Sequence, residues 1–198
     1  MAKKPQTVSA ENKRLARYVV GVFGGTPHAT EFAHDTEELT IGILHCADQP
    51  CEGVTSYSTI RLSDYPMRRK GKEFPTRIEI VGACATDDNE FANVIASTAF
   101  CIMRTQKFLH PGACMENYVR EYFEDTTVPH LYFTAPFLWD NLETQQCDTK
   151  QVAWLMAVPI SDAEKRYLDA KGDDALETLF EKKQIDVYDL WRRSVAKA

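Results

Sequence analysis

Apolar side chains recur along this chain with two periods, and the switches between them mark its elements. Leu15, Tyr18, Val19, Val22 and Phe23 fall at helical spacing behind Ser9, a capping residue, and Gly24–Gly25 closes the segment. A helix over about residues 9–24 is predicted. From Glu38 the period becomes two. Leu39, Ile41, Ile43 and His45 alternate with Glu38, Thr40, Gly42 and Leu44, as in a strand with one mainly buried face. The β-branched and aromatic run GVTSYSTIRLSDYP (53–66) predicts a second strand that ends in an Asp-Tyr-Pro turn. After a basic loop, MRRKGKEFP, the segment TRIEIVGACA (76–85) predicts a third strand with Arg77 and Glu79 on a wet face.

Residues 85–106 carry the best central helix: Phe91, Val94, Ile95, Thr98, Ile102 and Thr105 form one stripe. Ala92, Ala96 and Ala99 would let it lie close to a sheet, and Asp87 with Glu90 has capping-box spacing. HPGACMENYVREYF (110–123) suits a short helix as well as a strand. VPHLYFTAPFLW (128–139) and QVAWLMAVP (151–159) are apolar on both faces, as interior strands are. Pro159, lacking an N–H, is expected to end the second of these, and Ser161 with Glu164 to box the start of the next helix, which Gly172 closes. Asp174 with Glu177 would open another helix. Asp186 with Asp189 would begin a last one, with Val187, Leu190, Trp191 and Val195 as its buried stripe and Arg192, Arg193 and Lys197 at its negative end. Nothing splits the chain, and residues 1–198 read as one α+β domain.

Composition narrows the function. No apolar run approaches the roughly 20 residues of a membrane helix, and no apolar core follows the lysines of the N-terminus, so a cytoplasmic address is expected without membrane association. Lys plus Arg number 23 against 29 Asp plus Glu, a net charge of −6, which disfavours nucleic acid and favours a basic protein partner. Six cysteines at 46, 51, 84, 101, 114 and 147 read as buried thiols. His45, Cys46 and Cys51, or His110 and Cys114, could be assembled into a metal site, but no second knuckle stands at a matching spacing, and no metal or other cofactor is expected. There is no phosphate loop, nucleophile elbow or His-Glu-x-x-His motif. Cys84, at a strand end before a helix, is the foremost nucleophile candidate, although GACA is also what close packing uses. The aromatic residues point to contacts with another protein: Tyr57 and Tyr65 flank the Leu-Ser-Asp turn, and Phe137 and Trp139 stand where a strand runs into a loop. Core or rim packing is the alternative for each of them.

Taken in order, VTSYSTIRLSDYP, RIEIVGAC, PHLYFTAPFLW, VAWLMAVPISDAE and DVYDLWRRSV resemble the suppressor-of-fused family in its compact, single-domain bacterial form, from about residue 36 to 195. Tyr-x-Thr-x-x-Leu-Ser and Val-Pro-Ile-Ser-x-x-Glu are the most specific segments, and Arg61 stands where the family usually has glycine. The resemblance implies a mixed central sheet flanked by helices and no enzymatic activity. Animal relatives hold Gli-type transcription factors by receiving an extended peptide as an added strand, closed over by a further C-terminal domain for which this chain leaves no room. Bacterial relatives look like immunity proteins that neutralise a polymorphic toxin. A tyrosine shortly after Leu-Ser-Asp lines the family's peptide cleft, which points to Tyr65 with Asp64 as its polar partner. The leading expectation is therefore a non-catalytic immunity protein acting by occlusion, with Tyr65, Asp64, Tyr57 and Trp139 as contact residues. The alternatives are a regulator that binds a peptide or transcription factor by strand addition, and a thiol- or metal-dependent enzyme.

Overall fold

Ser9 caps the first helix: its hydroxyl accepts the Asn12 amide at 3.1 Å, α1 runs Ala10–Phe23, and Gly24 at φ +77° ends it. The computed structural model describes residues 8–85 and 90–197. Behind α1 come β1 (Pro27–Ala33), β2 (Thr40–Cys46) and β3 (Thr55–Ile60), a 3-10 turn over Leu62–Asp64, and a small hairpin of β4 (Arg68–Arg69) and β5 (Lys72–Glu73). β6 (Thr76–Cys84), α2 (Glu90–Thr105), β7 (Cys114–Met115), β8 (His130–Thr134), β9 (Gln145–Gln146), β10 (Gln151–Ile160), α3 (Asp162–Lys171) and α4 (Asp173–Lys183) complete the chain. The eight-stranded sheet has the order β1-β2-β3-β6-β10-β8-β7, with β9 on β10. It is mixed, since β10 runs parallel to β6 and antiparallel to β8.

Two-residue side-chain parity splits the core into two layers. Ile41, Ile43, Tyr57, Ile78, Ile80, Phe133 and Leu155 face α2 and the irregular segment after it. Leu44, Cys46, Val81, Tyr132, Trp154, Met156 and Val158 face α1, α3 and α4. The predicted stripe of α2 is buried from Phe91 to Ile102, and the helix comes so close to β6 that a Cβ on Gly82 would stand 3.1 Å from the Phe91 ring and 3.3 Å from Ile95. The Asp87 cap expected for α2 lies outside the described residues.

Several expectations are corrected. β1 had no periodic signal because it is an edge strand with nearly every residue exposed. The basic loop is a hairpin turned by Lys70 and Gly71, both at positive φ, as a tight primed turn requires. The ambiguous stretch 110–123 supplies only the two residues of β7 and a run of turns. Pro159 does not end its strand: β10 continues to Ile160, paired through Pro159↔Leu131 and Ile160↔His130. Its pairing with β6 ends at Met156↔Val81, so a residue without an N–H is tolerated there. The wet face of β6 is also absent at Glu79, which is only 2% exposed. Its carboxylate accepts the Thr59 hydroxyl and the backbone amides of Arg61, Leu62 and Ser63, so it organises the turn after β3 from beneath.

The final helix does not form. Asp186 and Asp189 accept the amides of Tyr188 and Trp191, two residues on, in Asx-type turns that compete with helix. The expected stripe divides: Val187 enters the core on the α3–α4 side, Leu190 enters the α2 side, and Trp191 is half exposed. Arg192, expected on a solvated helix end, is buried against Glu164. The guanidinium donates to Glu164 Oε1 and Oε2 at 2.7 and 2.8 Å and to the Pro159 carbonyl at 3.0 Å. Glu164 also completes its predicted capping box with Ser161 and accepts the Val195 amide at 3.0 Å. Burial alone would raise the pKa of Glu164, but the guanidinium and the two amides outweigh it and hold the carboxyl below its ordinary value.

Two outcomes follow. Gly82→Ala should lower stability by about 1–3 kcal/mol in urea melts, because Phe91 and Ile95 must shift. Arg192→Met should cost about 3–5 kcal/mol at neutral pH. A carboxyl depressed in the folded state contributes stability that is complete above its unfolded value of about 4.3 and is lost as pH falls through the folded value. The gap between wild type and Arg192→Met should therefore narrow in acid, and a gap independent of pH would show that the pair contributes no charge interaction.

Candidate partner-binding surface

The four contact residues expected from the sequence do not form one patch. Tyr57 is 0% exposed, near-parallel to His45 at 6.3 Å and 5.6 Å from Phe91. Its hydroxyl is buried with no hydrogen-bond partner among the described residues, and burial pushes its pKa up to about 12. Trp139 is 5% exposed, packs on Phe23 at 4.8 Å and donates its Nε1–H to Ser56 Oγ at 3.0 Å. As placed here both are core residues, which corrects their assignment as surface anchors. Their alternation with polar neighbours marked a strand and a loop but not which side the ring takes. Asp64 is exposed, yet it accepts Lys150 Nζ at 2.5 Å and Asn12 Nδ2 at 2.7 Å, tying the turn after β3 to α1 and to the start of β10. Tyr65 is half-buried against the α2-side core. Arg61, where the resemblance leads one to expect glycine, holds φ +84°. That left-handed backbone is what a glycine adopts without strain. Here the arginine side chain repays it by donating to Thr40 O and Oγ1 at 3.1 and 2.9 Å.

The reactive candidates are equally enclosed. Cys84 is 0% exposed, and burial, then Asp189, pushes its thiol up to about 12, the opposite of what a nucleophile needs. His45 and Cys46 are consecutive in β2 and so point to opposite faces of the sheet, while Cys51 lies exposed in the next turn. Among the described residues no three His, Cys, Asp or Glu side chains converge as metal ligands.

What does reach solvent is Phe137. β8 leaves the sheet after Thr134, and Ala135–Pro136–Phe137 forms a ridge before Trp139 turns back into the core. The Phe137 ring is 59% exposed, the largest exposure of any big apolar side chain among the described residues. A cleft of about 550 Å³ lies between this ridge and α4, with Tyr132 and Val158 from the strands, Phe180 from α4 and Val187 from the tail in its walls. A second, of about 530 Å³, opens across Ala135 and Pro136 between Phe74, Phe108 and the start of β10. Its edge carries the basic hairpin, with the Arg69 guanidinium 5.2 Å above Phe108. On the β8 side of β10, pairing stops at Met156 and resumes with β9 at Val152, which leaves Ala153–Leu155 paired only to β6 among the described residues. Sequence reasoning named Phe137 but missed Phe180. Its signal was the face Glu177, Phe180, Glu181, Gln184, spaced i, i+3, i+4, i+7 on α4 and lining the first cleft.

Comparison with known proteins places this geometry in a lineage. The immunity protein YqcF of Bacillus subtilis is 42% identical over 189 residues, which cover 95% of this chain and 98% of that protein. The crystal structure of a suppressor of fused homologue from Neisseria gonorrhoeae superposes with a TM-score of 0.74 at 17% identity, covering 95% of this chain and 98% of that one. Drosophila Suppressor of Fused matches with a TM-score of 0.57 at 13% identity, over 79% of this chain but 42% of that one. These likenesses establish the α+β fold with its mixed sheet. The model of the suppressor of fused protein family matches residues 37–193, from the loop before β2 to the tail beyond Arg192, and the chain belongs to that family.

Proposed function

We propose that this chain is a non-catalytic immunity protein, which neutralises a toxin by covering its working surface inside the cell that makes it. The observation that carries this reading is the 42% identity to an immunity protein across nearly the whole of both chains. The structure supports it on physical grounds. The thiol best placed for chemistry is buried and protonated, while an exposed aromatic ridge with an apolar cleft on each side is the sort of anchor a protein interface uses. A standard interface of about 800 Å² per partner would span the ridge and both clefts. The net charge of −6 would speed encounter with a basic toxin. The partner-binding roles of Tyr65 and Asp64 belong to the same proposal as rim contacts, since both lie outside the ridge.

A second reading rests on β10. Ala153–Leu155 offer unpaired backbone on the side facing the second cleft, where an extended peptide could add as a short strand. A regulator working this way would need no toxin.

Among cells made to express candidate toxins from the neighbouring genes, one set should survive when the chain is co-expressed, and its toxin should form a stable complex with the purified chain. No protection together with no complex would reject immunity. Loss of regulation, with unchanged survival beside toxin-producing neighbours, would favour the peptide-binding reading.

A further inference from the structure

We infer that the cleft between the Ala135–Phe137 ridge and α4 is a receptor for a basic side chain of the partner protein. The partner's lysine or arginine would lay its methylene stem against Phe180 and Val187 and set its charge between Glu177 and Glu181. This rests on the toxin-binding reading above and specifies the chemistry that the toxin must bring to it.

The cleft is built for a cation with an apolar stem. Glu177 is oriented before any partner arrives: the hydroxyls of Tyr132 and Thr134 both donate to its Oε1. Its Oε2 accepts no hydrogen bond, and neither Glu177 nor Glu181 is in a salt bridge among the described residues. The two carboxylates stand one turn apart on the face of α4 that lines the cleft, with Phe180 between them. Lys182 and Lys183 follow on the same helix but do not line the cleft. Asp173 and Asp174, in the first turn of α4, add to the negative field that Tyr132 feels. The nearest cation to the ring, Arg192, stands 5.7 Å from the Phe180 centroid, but its charge is matched by Glu164 and does not offset the acids of the cleft. A long methylene chain ending in a cation satisfies both parts of such a site, apolar walls and unmatched charge. Phe137 at the mouth extends the contact beyond one side chain, which favours a protein surface over a free amine.

The test uses the full chain and the purified domain of the toxin identified by that protection assay, inactivated by mutation. The Glu177→Gln/Glu181→Gln double variant keeps an acceptor oxygen for Tyr132 and Thr134, so its thermal melting should match wild type. Its affinity should fall about thirtyfold at low salt, and its dependence on salt should flatten. Asp148→Asn, which removes a solvent-exposed charge that lies outside the cleft beside Arg14, should change affinity less than about twofold. Phe137→Ala, on a side chain outside the core, should weaken binding without flattening the salt dependence. Wild-type affinity and salt dependence in the double variant would overturn the receptor while leaving toxin binding intact. Failure of the wild-type chain itself to bind would overturn both.

Discussion

A single buried carboxylate holds the C-terminal third of the molecule together. Glu164 closes the amides at the start of α3, neutralises Arg192 twenty-eight residues later and takes the Val195 amide, while Arg192 reaches back to the Pro159 carbonyl at the end of β10. Removing two opposite charges from water costs several kcal/mol per ion unless nearly every lone pair and proton is matched. Here both carboxylate oxygens and both terminal guanidinium nitrogens are matched, while the buried Arg192 Nε–H has no partner among the described residues. The consequence reaches the surface. The tail is fastened across the sheet, Val187 becomes a wall of the first cleft, and Arg192 lies beside Phe180, another of its walls.

Several other polar groups of the interior are matched in the same way, although the Tyr57 hydroxyl and the Trp154 indole N–H have no partner among the described residues. Glu79 gives both oxygens to the turn after β3 and so sets the entry of Asp64 and Tyr65. Burial raises the Glu79 carboxyl, and the hydroxyl and amide donors offset that only in part. Lys150 matches Asp64, and Ser56 takes the indole N–H of Trp139. Cys46, Cys84 and Cys147 behave as small apolar residues within the two layers. The Glu79 and Glu164 carboxylates and the Cys46 and Cys84 thiols are thus engaged in holding the sheet and its helices together. The chemically uncommitted features lie outside: the Phe137 ridge, the two clefts, and the Glu177 and Glu181 carboxylates, which have no cation among the described residues.

Those outer features can vary while the fold is kept. The sheet that superposes on distant relatives at 17% and 13% identity positions the exit of β8 and the face of α4, but it does not dictate what either presents. Ridge residues and helix-face charges can vary with little effect on the core, because Trp139 and Leu176, their buried neighbours in sequence, carry the packing.

By itself the sequence determined whatever depends on neighbours within a few residues. The stripe of α2, the Ser9 cap, the Ser161–Glu164 box and the two-sided apolar runs of β8 and β10 are local patterns, and the structure keeps them. The family resemblance was legible in the same way, in contiguous segments. Tertiary structure alone decided the rest. Glu79 read as solvated because a charge in a strand usually is, until the turn after β3 folded over it. Arg192 read as a helix end because its partner lies twenty-eight residues away. Asp186 and Asp189 fit a helical template, yet their side chains closed local turns instead. Tyr57 and Trp139 could have pointed either way, and the sheet's faces drew both inward. The cleft joins Phe137 to Phe180 across forty-three residues, a pairing set by strand order and by how α4 docks. Short-range periodicity encodes which element forms; burial, charge matching and surface shape depend on which distant segments the folded chain brings together.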